Sequence, residues 1–129
     1  MGDLSLNFSR SEFSCRCGCG LDVIDPELIV TLQHSRTATG RTYPINSGCR
    51  CKSKNAAVGG KANSAHLLFD DGFCHAVDIG CSDSHDIFVK ALDLIRRFQR
   101  IEFGKKNGVL WIHVDNRRDL PQEVLILGV

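Results

Sequence analysis

Two short stretches limit what this chain can become: His75-Ala-Val-Asp-Ile79 and Leu110-Trp-Ile-His-Val114. Each is rich in strand formers and each alternates. Side chains on a strand point to opposite faces in turn, so His75, Val77 and Ile79 share one face while Ala76 and Asp78 share the other. Paired as neighbours, the two stretches can set Asp78 against His113 on one face while branched residues fill a core on the other. His66 arrives from the loop before them. Two neutral imidazoles and one carboxylate are a common way to hold zinc with its fourth position left open. His66, Asp78 and His113 are therefore the candidate metal ligands. His75, in the same strand as Asp78, should face away from it.

The remaining elements follow from local signals. Asp25 is a helix N-cap, Pro26 suits the first helical position, and Ile24 can staple onto Ile29. Leu28, Ile29 and Leu32 make the buried stripe of that helix, and Gly40 ends it. Arg41 to Asn46 reads as a short strand leading to Arg50, and Cys51 to Ala65 as a loop turning at Gly59-Gly60. Ser82 or Ser84 can cap a second helix, with Ile87, Phe88, Ala91, Leu94, Ile95 and Phe98 at core spacing. A strand at Ile101 to Phe103, a turn from Gly104 to Gly108, a strand at Val109 to Val114 and a last strand at Glu123 to Leu127 complete the chain. This pattern predicts an α+β fold: a small, mainly antiparallel sheet flanked by two helices, in one domain over residues 1–129.

With 129 residues, 43% of them hydrophobic, the chain can bury a single core. Its net charge of +1 lacks the basic footprint of a nucleic-acid binder. No apolar run reaches the length of a membrane span, and the start Met-Gly-Asp-Leu-Ser-Leu lacks the basic and apolar regions of a signal peptide, so synthesis in the cytoplasm without a leader is expected. Asp70, Asp71 and Asp83 do not form a calcium loop, and the glycine-rich stretch lacks the Gly-Lys-Ser/Thr ending of a phosphate loop. Cys15, Cys17 and Cys19 stand at alternate positions without the two-residue spacing usual between zinc thiolates. Reduced thiols or one disulfide are the expectation there. A structural zinc shared with Cys49, Cys51, Cys74 or Cys81 is the alternative.

Three blocks in order resemble the zinc peptidases that cut peptidoglycan peptides: Ile45-Asn-Ser-Gly-Cys-Arg-Cys-Lys-Ser-Lys-Asn-Ala-Ala-Val-Gly-Gly-Lys-Ala-Asn-Ser-Ala-His66, His75-Ala-Val-Asp-Ile79, and Ile112-His-Val-Asp-Asn-Arg117. That family comprises the D-Ala-D-Ala carboxypeptidases and the phage L-alanyl-D-glutamate endopeptidases, which share a fold with the hedgehog signalling domain. The resemblance runs from about Phe8 to about Arg117 and takes in the run Cys15-Arg-Cys-Gly-Cys-Gly20, similar to that of phage members. It implies a Zn2+ cofactor on His66, Asp78 and His113, and a peptidoglycan peptide as substrate. Arg50 falls where the family keeps an arginine that holds a substrate carboxylate or carbonyl, a task suited to a planar, permanently charged fork. Ser64 matches a serine that hydrogen-bonds the substrate. The setting implied is a monomeric phage lysin reaching the cell wall through a membrane pore, or a phage-particle enzyme, with neither nucleic acid nor membrane as partner.

The chain departs from the family pattern His-x-x-Gly-x-Ala-x-Asp by an insertion around Phe69 to Phe73, which is either a specificity loop or damage. The motif glycine is replaced by Cys74 or displaced to Gly72, and Cys49 stands where an aromatic residue is common. A zinc hydrolase also needs a group that accepts a proton from water and passes it to the leaving amine. Positions Asn107 to Leu110, where relatives place it, offer none. Asp115 lies on the strand face of His113 and can serve as that base or orient His113, the role preferred here. Glu102 on the neighbouring strand and His75 are the other candidates. Two further classes stay open: a zinc-stabilised binding module without catalysis, and a cysteine-rich structural or redox protein whose metal sits on Cys15, Cys17 and Cys19.

Overall fold

In a computed structural model describing residues 2–126, the two alternating stretches are adjacent strands at the centre of one sheet. Its strands are β1 (Ile45–Ser47), β2 (Ala76–Cys81), β3 (Arg100–Lys106), β4 (Val109–Asp115) and β5 (Glu123–Ile126), in the spatial order β1-β2-β4-β3-β5. All neighbours are antiparallel except β3 and β5. Three helices accompany them: α1 (Pro26–Thr39), α2 (Lys52–Ala57) and α3 (Ser84–Leu94). The α+β class with a mainly antiparallel sheet is as expected. The final strand is described to Ile126, and Leu127 lies outside the described residues.

Strand register sorts the residues by face. Ser47 is opposite Asp78, Asp78 opposite His113, and His113 opposite Glu102, so four polar side chains form one row across β1, β2, β4 and β3. The adjacent rows place Val77 beside Val114 and Ile101, and Ile79 beside Ile112 and Phe103. These point to the other face, where they join Leu28, Ile29 and Leu32 of α1, Ala91 and Leu94 of α3, and Phe98 in the core. Alternation thus assigns one face to chemistry and one to burial, as a half-buried sheet requires.

Helix α1 forms as its signals dictate. The Asp25 carboxylate accepts from the Glu27 N–H, and Gly40 closes the helix in the left-handed conformation. Four other expectations are corrected. The strand before Arg50 is Ile45–Ser47 instead of Arg41 to Asn46. The stretch after Cys51 is not all loop: Cys51 Sγ accepts the Lys54 N–H and caps the short α2. Helix α3 is capped by Asp83, not Ser82 or Ser84, and its inward face differs from the apolar spacing. Phe88 and Ile95 are 59% and 46% exposed, whereas Lys90 is buried, donating to Asp86 at 2.8 Å and to the Gly80 carbonyl at 3.0 Å. A buried ammonium with a carboxylate and a carbonyl as partners escapes the cost of an unpaired charge. Finally, β3 extends through Gly104 to Lys106, because Asn107 and Gly108, with φ of 52° and 78°, make the tight two-residue turn into β4.

The close approach of the amino-terminal segment to the site depends on Gly48. Its carbonyl accepts from His66, and the next N–H, that of Cys49, donates to the Phe13 carbonyl at 2.8 Å. A Cβ at Gly48 would lie 2.6 Å from that same Phe13 oxygen, a backbone atom unable to swing aside. Gly48→Ala is expected to destabilise the protein by about 1–3 kcal/mol, the usual cost of overpacking, measured by denaturant unfolding.

Candidate metal centre

His66, Asp78 and His113 converge at the floor of a cleft of about 290 Å³, with their ligand atoms within 4.8 Å of one another. Asp78 comes from the middle of β2 and His113 from the facing position of β4. His66 is delivered by the turn before β2, which is tied to the neighbouring chain by the bond from the Arg50 N–H to the His66 carbonyl at 2.8 Å.

The hydrogen bonds behind the imidazoles decide what they present in front. His66 Nδ1 lies 2.7 Å from the Gly48 carbonyl, which can only accept, so Nδ1 carries the hydrogen and Nε2 of the neutral ring is a lone pair. His113 Nε2 lies 2.8 Å from the Asp115 carboxylate, which accepts its N–H, so a cation in front would meet Nδ1 as the lone pair. Both front nitrogens, His66 Nε2 and His113 Nδ1, are aimed at Asp78 Oδ1, at 3.1 and 3.0 Å. Three acceptors facing one another repel unless a cation lies among them. Protons are one solution. Burial pulls the His113 imidazolium down, but its bonds to Asp115 and Asp78 outweigh burial and lift its pKa to about 9. Burial pushes the Asp78 carboxyl up, and the charge of His66 with the two imidazole bonds carries it well below the usual carboxylate range. A divalent metal is the other solution. Zinc bonds of about 2.0–2.1 Å in a tetrahedron separate donor atoms by about 3.3 Å, close to the spacing seen, and a two-imidazole, one-carboxylate set suits zinc.

The other predicted site residues line the same cleft: Arg50, Ser64, Glu102 and Asp115. Arg50 donates to Asp78 Oδ2 at 3.1 Å, to Ser47 Oγ at 3.0 Å and to Asn55 Oδ1 at 3.4 Å, which still leaves N–H groups over. Ser64 Oγ accepts the His66 N–H at 3.2 Å, so its own O–H is left to donate. Asp115 is buried behind His113 and holds it. Glu102 stands beside His113 across the β3–β4 pair, part-exposed, and makes no side-chain hydrogen bond among the described residues. His75 is on the other side of the strand, as its parity predicts, bonded to Asp25, Asp71 and Asn116, and it does not line the cleft. This removes it as a candidate base.

The insertion folds away from the metal ligands. Phe69 and Phe73 close a turn, Asp71 bonds His75 at 2.7 Å, and Phe69 lies against the His75 ring and under the Arg117 guanidinium. It lines a separate cavity of about 600 Å³, leaving Asp78 in register. Sequence reasoning missed the supports of Arg50, namely Ser47 and the buried Asn55. Ser47 carried a readable signal, since it lies on the polar row; Asn55 carried none, being placed by the unforeseen α2.

Asp115→Asn keeps the shape behind His113 but removes the charge that sets its tautomer. It is expected to weaken metal binding by roughly 10–100-fold, measured by chelator competition.

Compared with known families, residues 6–115 match the family model described as Peptidase M15. No curated protein matches the chain.

Proposed function

The chain belongs to the peptidase M15 family, and on that footing we propose that it is a zinc-dependent metallopeptidase hydrolysing an amide bond in the stem peptide or cross-link of peptidoglycan. The observation that carries the reading is the convergence of two imidazoles and the Asp78 carboxylate at the floor of a cleft. Zinc held by His66, Asp78 and His113 would supply a Lewis acid for the scissile carbonyl and lower the pKa of water.

The protein's own groups do the rest. Arg50, fixed by Ser47, Asn55 and Asp78, offers its remaining N–H groups to a carboxylate or carbonyl of the peptide. Ser64 donates its hydroxyl to a peptide carbonyl. Glu102 accepts the proton of the attacking water and returns it to the amine as the C–N bond breaks, a role suited to a part-exposed carboxylate lining the cleft. Asp115 keeps the His113 lone pair facing inward. Arg50 and Lys61 line the cleft and can receive a peptide bearing free carboxylates, as stem peptides do.

In this reading the partner is the cell wall, not nucleic acid or a membrane, and the enzyme works as a monomer in phage-driven lysis. Among the described residues no helix is long and apolar enough to cross a membrane.

Zinc-loaded protein incubated with peptidoglycan is expected to release fragments whose masses name the bond, and a chelator is expected to stop the release. Zinc-loaded protein that binds peptidoglycan without cutting it would replace this reading with the binding module.

A further inference from the structure

Next to Arg50 in the chain, and outside the lining of the cleft, Cys51 joins Cys15, Cys17 and Cys19, with the four sulfurs within 4.8 Å of one another. We propose that these four cysteines are a second, structural zinc site that clamps the amino-terminal loop to the segment carrying Arg50.

The distances fit a shared ion and no disulfide. Cys15 Sγ is 3.4 Å from Cys17 Sγ and 3.8 Å from Cys51 Sγ, and Cys17 Sγ is 3.6 Å from Cys51 Sγ. Zinc–sulfur bonds of about 2.3 Å place the sulfurs of a tetrahedron about 3.8 Å apart, whereas a disulfide needs about 2.05 Å. Four thiols around one point also match the closed, water-free coordination of structural zinc.

The two-residue spacing usual between zinc thiolates is absent from this run, and on an extended chain alternate residues would stand about 6.6 Å apart. The chain is not extended here. Gly18 and Gly20, with φ of 83° and 88°, turn it back on itself, and the Gly18 N–H bonds the Cys15 carbonyl at 3.1 Å. Glycine at both positions permits the curl that gathers three thiols from one short run. Two backbone donors already point at the sulfurs: the Cys51 N–H at Cys15 Sγ and the Lys54 N–H at Cys51 Sγ, both at 3.4 Å. Thiolates accept such bonds better than thiols do. On binding, the four thiols give up four protons to solvent, and nothing is oxidised.

The consequence reaches the cleft through consecutive residues. The Gly48 carbonyl orients His66, the Cys49 N–H bonds Phe13, Arg50 bonds Asp78, and Cys51 is the fourth sulfur. An ion on Cys51 would thus hold the backbone of Arg50 from behind.

The test is metal analysis of the full chain purified under reducing conditions, followed by cobalt exchange. Two zinc ions per chain are expected, with one retained in Asp78→Asn and one in a Cys17→Ser, Cys19→Ser double variant. Cobalt-exchanged wild type and Asp78→Asn should show the intense near-ultraviolet sulfur-to-cobalt band, and the double variant should lack it. The proposal is overturned by a single zinc in the wild type that Asp78→Asn removes, by a cobalt spectrum without the sulfur band, or by a disulfide among these cysteines in the fresh protein's mass. The wild-type spectrum is informative even if a variant does not fold. It is independent of peptidase activity, so failure here and failure of the cleft reading are distinguishable.

Discussion

Asp78→Asn is expected to abolish metal binding at the cleft and to lower peptide cleavage by at least about 1,000-fold, roughly 4 kcal/mol of transition-state stabilisation. The reason lies in the donors around it. In the native site Asp78 Oδ1 faces two imidazole nitrogens, and Oδ2 takes the Arg50 guanidinium. An asparagine can turn its amide so that the NH2 group donates to both imidazoles while the oxygen accepts from Arg50. Every polar atom is then satisfied without a cation. The variant should therefore fold at least as stably as chelator-treated wild type, yet lack the cleft ion. Metal analysis, thermal melting and the peptidoglycan digest together check this. Full activity in Asp78→Asn would sink the metal assignment.

Glu102→Gln carries the second large effect. Its cleavage rate is expected to fall by roughly 10²–10⁴-fold, the usual contribution of a positioned general base, with the metal content unchanged. Glu102 is a carboxylate beside His113 that makes no side-chain hydrogen bond among the described residues, whereas Asp115 is buried and its Oδ2 takes His113. The contrast between the variants is informative. Glu102→Gln should lose turnover and keep metal, while Asp115→Asn should lose metal affinity first. Near-native turnover in Glu102→Gln, with Asp115→Asn inactive though fully metal-loaded, would transfer the base to Asp115.

Much of the central sheet and of the site was readable along the chain. Alternation placed Asp78 and His113 on one face and their apolar neighbours on the other, and parity placed His75 on the opposite side. The caps of α1 were legible because Asp25, Pro26 and Gly40 act on backbone groups within a few residues. Reading failed where distant partners override local preference. Lys90 is inside because Asp86 and the Gly80 carbonyl receive it, and no apolar periodicity reports that. Gly104 reads as a turn by residue type, yet β3 runs through it to Lys106 because Asn107-Gly108 is the stronger hairpin signal. The insertion after His66 could not be weighed until it was seen to close on itself against His75 and Arg117.

By itself the sequence determined which atoms can bind and which strand face each occupies. Side-chain parity, capping and ligand chemistry are local properties that need no knowledge of the rest of the fold. Only the tertiary structure decided which of those atoms meet. The Gly48 carbonyl that accepts from His66 and the meeting of Cys51 with the Cys15 to Cys19 run both join residues far apart in the chain. Strand register and the reversals at Gly18 and Gly20 bring them together, and those are set by packing over the whole domain, not by any one segment.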